Sequence, residues 1–388
     1  MKEKDIHEKK GAPGQQDAPA NTSPKKESQE PDILEKVNPD GRKQEKSKYG
    51  HSSRITLWIL IIVAVIIVLG LASIFSYMVD GSASDVTIRI PKNATIENVS
   101  DSLNKYFPED YSNKVLKLLK VANFEPEKRH GSYLLPKGAT PFATMRKIAR
   151  GAQDPVRITI NGFRTIDYLG ERIGKKMEFT PEEFVKAAKD PEFLAQYGLT
   201  PDNALSLFLD DTYEVYWTST PQEVLKKIGD NYNAFWSEGR RKQAADLDVT
   251  PAEMMILASI VDDETNQVLE KGRIGRLYIN RLDKGMKLQA DPTVRVANGD
   301  LTIRRVTKEH LKVDNPYNTY IYEGLPPGPL RTTSRKTVTE ILNSKPSTDL
   351  YMCAREDFSG FHNFADNYED HKDNARRYQD ELDKRGIK

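Results

Sequence analysis

The sequence predicts an α+β fold in three parts: a single transmembrane helix, a small α/β lobe and a larger mixed α+β domain. Three observations predict it. One uncharged stretch is long enough to cross a bilayer. Short alternating strands are each followed by a Pro- or Gly-marked turn and an amphipathic helix. A later helix is apolar on nearly every face, as expected for a helix buried inside a domain. The division this predicts is residues 1–54 as a disordered tail, 55–79 as the membrane helix, 80–157 as the small lobe and 158–388 as the main domain.

Composition removes several function classes. The 388 residues carry 58 basic and 57 acidic side chains, a net charge of +1, so nothing marks a polyanion binder and nucleic acid is not an expected partner. The single cysteine, Cys353, rules out an intramolecular disulfide. It sits in Tyr351-Met352-Cys353-Ala354, which reads as a buried strand with an inert thiol. The histidines His7, His51, His130, His310, His362 and His371 show no paired ligand spacing, so neither a metal nor another cofactor is expected.

Residues 1–54 are rich in Lys, Glu, Pro, Gln, Ser and Asp, a composition that buries too little apolar surface to offset chain ordering. Leu57 to Phe75 then contains no charge at all. The run is too long and too far from the start for a signal peptide. Arg42, Lys43, Lys46, Lys48 and Arg54 precede it against a lone Glu45, whereas Asp80 and Asp85 follow it. Positive charge stays inside, so the expectation is a single-pass anchor in the bacterial cytoplasmic membrane, N-terminus inside and the bulk of the chain outside. Trp58 and Tyr77 sit where interfacial rings belong.

A weak repeat comes next. Val86 to Ile90 alternates as a strand, and Pro91 to Thr95 leads into a helix with Ile96, Val99 and Leu103 on one face. Val115, Leu118 and Leu119 mark a second helix. Ser132 to Leu135 precedes a similar turn and a stripe of Phe142, Met145 and Ile148. Val156 to Ile160 turns at Asn161-Gly162 and enters a helix through Thr165, Leu169 and Ile173. The strand-helix-helix-strand arrangement resembles LysM modules, which bind glycans rich in N-acetyl sugars. A structural spacer fits the pattern equally well.

The most informative stretch is Val249 to Gly285. Thr250-Pro251-Ala252-Glu253 is a capping box with Pro at the first helical position. The helix runs on through Met254 to Val261 and ends in three acids, Asp262, Asp263 and Glu264. Acids there oppose the helix dipole, and burial with like charges raises a carboxyl pKa. A carboxyl protonated near neutral pH is what a general acid for glycosidic cleavage needs. A solvated acidic helix end accounts for the same residues, and local chemistry does not choose between the readings or among the acids.

The surrounding sequence resembles the YceG-like endolytic murein transglycosylases, also described as MltG-type lytic transglycosylases. The resemblance rests on Ala258 to Thr265, Leu277 to Leu282, Gly285 to Val294, Pro316 to Tyr320 and Gly324 to Pro329, in the family's order, with a fainter echo at Phe208 to Tyr213. It implies that 158–388 is a catalytic domain and that Glu264, the acid directly before Thr265, is the catalytic residue. The family usually has Glu-Lys-Glu-Thr where this chain has Asp262-Asp263-Glu264-Thr265. The loss of a lysine neighbour favours the protonated acid. The chain also departs from the family at Asp210 and at Leu330 to Ser334.

Such enzymes cleave between N-acetylmuramic acid and N-acetylglucosamine without adding water. A single Glu protonates the leaving oxygen and then accepts the proton of the sugar's own 6-hydroxyl, closing a 1,6-anhydro ring. A hydrolytic muramidase needs a second carboxylate, for which Asp291 is the candidate, although Asp291-Pro292-Thr293 reads more simply as a helix cap. Gln289 and Asn318 suit acetamido and hydroxyl groups. Tyr317 and Tyr320 would stack on sugars or pack the core, Thr212 and Tyr213 are further candidates for the cleft, and the loop Gly324 to Pro329 would form a rigid wall. His362 reads as a structural histidine rather than a partner of the acid. The expected partners are peptidoglycan strands and, beside them, the peptidoglycan synthases. A non-catalytic glycan-binding scaffold is the remaining alternative.

Overall fold

The protein is seen here as a computed structural model that describes residues 52–76 and 85–386. Helix α1 (Ser52–Ser76) contains the uncharged run, and among the described residues it is the one helix long and apolar enough to cross a membrane. Ile55 to Leu71 present their large apolar side chains outward all round it. The expected disordered tail lies outside the described residues except for its last three positions, which belong to α1, and Tyr77 also falls outside them.

Strand β1 (Val86–Ile90) alternates buried and exposed side chains as its period-two pattern requires. Helices α2 (Ile96–Asn104) and α3 (Glu109–Val121) follow, and β2 (Gly131–Leu135) returns antiparallel to β1, with Ile88 opposite Tyr133. Helix α4 (Pro141–Ala149) closes this unit. Its core gathers Val86, Ile88, Ile90, Val99, Leu103, Tyr111, Val115, Leu119, Tyr133 and Ile148. Ile96, expected on the buried stripe, is 40% exposed: as the first helical residue it overhangs the core that Val99 and Leu103 reach.

The larger core begins at Ile158. Strand β3 (Val156–Ile160) pairs antiparallel with β4 (Leu209–Val215), and between them run α5 (Ile166–Gly174), α6 (Pro181–Ala188) and α7 (Pro191–Ala195). Helices α8 (Pro221–Phe235), α9 (Glu238–Ala245), α10 (Pro251–Glu264), α11 (Val268–Asp283) and α12 (Asp291–Ala297) follow. Three of these helices, α6, α8 and α10, start with the same Thr-Pro-x-Glu capping box, in which Thr takes the N3 amide and Glu takes the cap amide. Strand β5 (Thr333–Ser334) adds in parallel to β4, and α13 (Arg335–Leu342) continues from it. A hairpin of β6 (Tyr351–Ala354) and β7 (His362–Ala365) and the helix α14 (Tyr368–Lys384) complete the chain.

Helix α10 is the axis of this domain. Met254 to Val261 are all buried, which explains a helix with no polar face. α11 packs beside it and against α13 through Gly272 and Gly275. A Cβ at Gly272 would lie 2.6 Å from the Glu340 carbonyl, and one at Gly275 would lie 2.6 Å from Ile341. Lys271 and Tyr278 of α11 both reach the acidic end of α10.

Candidate active site

The three consecutive acids at the end of α10 have different surroundings. Asp262 takes Lys271 Nζ at 2.5 Å, Thr337 Oγ1 at 2.5 Å and the Thr333 hydroxyl. Asp263 receives both terminal nitrogens of Arg164, at 2.7 and 3.0 Å, and Arg331 Nη1 at 3.2 Å. Among the described residues no cation hydrogen-bonds or ion-pairs with Glu264. Among the described residues its one hydrogen-bond partner is the Tyr278 hydroxyl, which donates to Oε1 at 2.6 Å. Geometry therefore separates the three acids, which local sequence chemistry could not.

Glu264 forms part of the wall of a cavity of about 260 Å3 together with Tyr278, Arg281, Gln289, Asp291 and Tyr320. Burial pushes its carboxyl from the ordinary 4.5 up to about 7; the Tyr278 hydrogen bond and the Arg295 charge oppose this, and the negative charges of Asp291 and Asp263 add to it. The residue keeps some solvent contact, as an acid facing a cavity must. The chain leaves the helix directly afterwards: Thr265 is extended, and its hydroxyl accepts from the Gln267 amide at 3.0 Å.

One face of α11 supplies the opposite wall. Glu270, Leu277, Tyr278 and Arg281 are spaced 7, 8 and 11 residues apart, so they share a helical stripe. Tyr278 is buried, and burial beside Glu264 drives its hydroxyl well above the usual tyrosine range. Arg281 is 7% exposed and is held by carbonyls: Nε donates to Leu350 O at 2.6 Å, and Nη1 to Leu288 O at 2.8 Å and Lys287 O at 3.0 Å. Arg273 pairs with Asp349, and Asn280 donates to the Ser347 and Asp349 carbonyls. These contacts lay β6 and β7 against the cavity, where Met352, Cys353, Ala354 and His362 line it.

Of the residues singled out from sequence, Glu264, Gln289, Asp291 and Tyr320 come together at the cavity. Gln289 is exposed and adopts a positive φ of 52°, a conformation that costs a non-glycine residue, and its side-chain oxygen accepts from Arg281 Nη1 at 3.3 Å. Asp291 does not cap α12: the cap position belongs to Ala290. The helix starts one residue earlier than the Asp-Pro pattern implied, which frees the Asp291 carboxylate to accept from Tyr320 Oη at 2.8 Å.

The others lie elsewhere. Asn318 is fully buried, its amide donating to the Leu311 and Val313 carbonyls and accepting from the Tyr320 amide, so it shapes a turn and offers nothing to a sugar. Tyr317 is half-buried against the large core and away from this cavity. Thr212 and Tyr213 line a separate hollow with Arg157, Lys227 and Asn231, where Tyr213 is almost fully buried. The loop at Gly328 packs on the Asp202 carbonyl rather than on the cavity. Cys353, expected in the core, is half-buried at the cavity wall, because β6 is a short outer hairpin strand rather than a central one.

Tyr278, Arg281 and Glu270 were missed. The one signal was their shared helical spacing, which other charged residues of α11, among them Lys271, Arg273 and Arg276, obscured. The departures from the family pattern also find their partners. Thr332 Oγ1 donates to Asp210 at 2.5 Å, and Leu330 N donates to Ser259 Oγ at 2.9 Å.

The fold and the cavity thus define a mixed helix-and-sheet protein whose site is built on one desolvated carboxyl. The model of the YceG-like family matches residues 88–377, and the chain belongs to that family. A protein of Streptococcus pneumoniae (serotype 2 strain D39) named endolytic murein transglycosylase is 25% identical over 327 residues, 76% of this chain and 58% of that protein. The chain thus spans little more than half the length of that curated relative. A Bacillus subtilis protein of the same name is 24% identical over 295 residues, 71% of this chain and 80% of the relative. The crystal structure of a yceG-like protein from Listeria monocytogenes has the same fold, with a TM-score of 0.50 at 24% identity over 75% of this chain and 99% of its own.

Proposed function

We propose that this protein is an endolytic lytic transglycosylase of bacterial peptidoglycan, with Glu264 as the acid that protonates the leaving glycosidic oxygen. One observation carries the reading: among the described residues Glu264 is the single acid of its cluster with no hydrogen-bonded cation, desolvated in a polar cavity and lifted to about 7, so it holds a proton near neutrality. The names of the relatives supply the substrate class. The bond cut is that between N-acetylmuramic acid and N-acetylglucosamine, with the muramic 6-hydroxyl as nucleophile. Gln289, Asp291, Tyr320 and Arg281 would hold the sugar at the wall.

In this reading residues 158–388 form the catalytic domain, supported by a core that begins at Ile158. Residues 80–157 form a LysM-like lobe, supported by the strand-helix-helix-strand order and a core of its own. The charge flanks of α1 support a single-pass anchor in the cytoplasmic membrane with both lobes outside. Glycan strands are the substrate, and the peptidoglycan synthases working at the same membrane are natural neighbours.

A second reading, a hydrolytic muramidase, draws on the position of Asp291 in the cavity, where it could activate water. Mass spectrometry of glycan strands digested by the purified protein decides between them. The proposal expects internal cuts with 1,6-anhydro-muramic ends and no products from Glu264→Gln. Reducing muramic ends would favour the muramidase, and cleavage by Glu264→Gln would sink both.

A further inference from the structure

A second proton-handling group lies on the same cavity. His362 opens β7 and lines the cavity with Glu264. Glu270, from the α11 stripe, holds it twice: Oε1 accepts from the His362 backbone N–H at 2.9 Å, and Oε2 lies 3.0 Å from Nδ1. Glu270 is itself 7% exposed, so this carboxylate is built into the domain rather than placed for solvent. With Nδ1 turned to the Glu270 carboxylate, Nε2 is the ring nitrogen left to face a substrate. Among the described residues no protein group bonds Nε2. A carboxylate orienting a histidine that faces a reaction space is the arrangement by which bases are positioned in unrelated enzymes.

We propose that His362 is a second catalytic residue, accepting on Nε2 the proton of the muramic 6-hydroxyl while Glu264 supplies a proton to the departing oxygen. The inference rests on the transglycosylase reading and divides its two proton transfers between two side chains. The bond from muramic C1 to the bridging oxygen breaks, and that oxygen keeps the electron pair and takes the Glu264 proton. O6 forms a bond to C1 and releases its proton to Nε2. Glu264 ends as carboxylate and His362 as imidazolium, and exchange with solvent restores both. Glu270 is the positioning residue. Its hold on both the backbone and the ring of His362 aims Nε2 and gives O6 an advantage over water at C1.

The test uses the full-length protein in detergent, glycan strands as substrate and mass spectrometry of the new ends. His362→Gln is expected to lower kcat about a hundredfold, the lower end of the range for a lost base. It should also shift products from anhydro toward reducing muramic ends, because an unheld 6-hydroxyl competes poorly with water. Glu270→Gln should move both readouts part of the way, and the double variant should be no worse than His362→Gln alone. The ratio of ends is read on folded molecules only, so a variant that is merely less stable keeps the wild-type ratio. Wild-type kcat and fully anhydro ends in His362→Gln would overturn the inference, with Glu264→Gln inactive and the transglycosylase reading intact. An active Glu264→Gln would instead remove that reading itself. An aryl muramyl glycoside, whose leaving group needs no proton, gives an independent arm: it should rescue Glu264→Gln and not His362→Gln. Rescue of His362→Gln counts against the proposal.

Discussion

At Glu264 the ordinary carboxyl value of 4.5 rises to about 7, so the acid form is populated up to neutrality and is lost above it. A general acid must be protonated to act, so kcat/KM should fall about tenfold per pH unit above about pH 7. The Tyr278 hydrogen bond favours the carboxylate, and Tyr278→Phe should therefore move this limb to higher pH, which a pH-rate profile measures. The same shift acts on stability. A carboxyl raised from 4.5 to about 7 on folding takes up a proton between those values, so wild-type stability declines as pH rises through that window. Glutamine does not titrate. Glu264→Gln should thus gain stability over wild type with rising pH, by about 3 kcal/mol once above the window and little below it; chemical denaturation at about pH 4 and pH 8 checks this. Cys353 offers a third readout. Burial and the nearby Glu356 push its thiol up, so alkylation should be slow at neutral pH, yet an adduct at the cavity wall should block cleavage. Cys353→Ala should resist the reagent.

Among the elements, α11 sets the geometry. Its Gly272 and Gly275 let α13 approach on one face while Leu277, Tyr278 and Arg281 line the cavity on another. Gly272→Ala meets a backbone carbonyl that cannot swing aside, so it should cost about 1–3 kcal/mol in urea unfolding, and more than Gly275→Ala, which meets the side chain of Ile341. Many elements could be read from sequence because their signals are local. Val86–Ile90 and Val156–Ile160 alternate, Thr250 to Glu253 is a closed capping box, and Met254 to Val261 is apolar because it is buried all round. The site could be read only where it lies on one such element. Asp291 turned on a one-residue difference in where α12 begins, and Asn318 on which backbone carbonyls a turn left open. Neither has a pattern in the sequence. The bond between Glu270 and His362 spans 92 residues, and no periodicity reports a contact at that distance.

For the molecule as a whole, the two cores are separate and both begin after residue 85, so neither draws on α1. A chain starting at Asp85 should fold, stay soluble without detergent and cleave soluble glycan strands at a rate close to that of the full-length protein; circular dichroism and the mass-spectrometric assay test both points. Sedimentation with membranes should be lost. Three remote segments also meet at the end of α10, where Arg164 from the β3–α5 connection and Arg331 from the stretch before β5 close on Asp263. The family pattern places lysine where this chain has Asp263. A lysine there would set a third positive charge against two arginines, whereas the arginines without Asp263 would repel each other. On charge alone, the three positions are expected to change together. Relatives should divide into a lineage with this aspartate and both arginines and a lineage with the lysine and neither, with few intermediates between them.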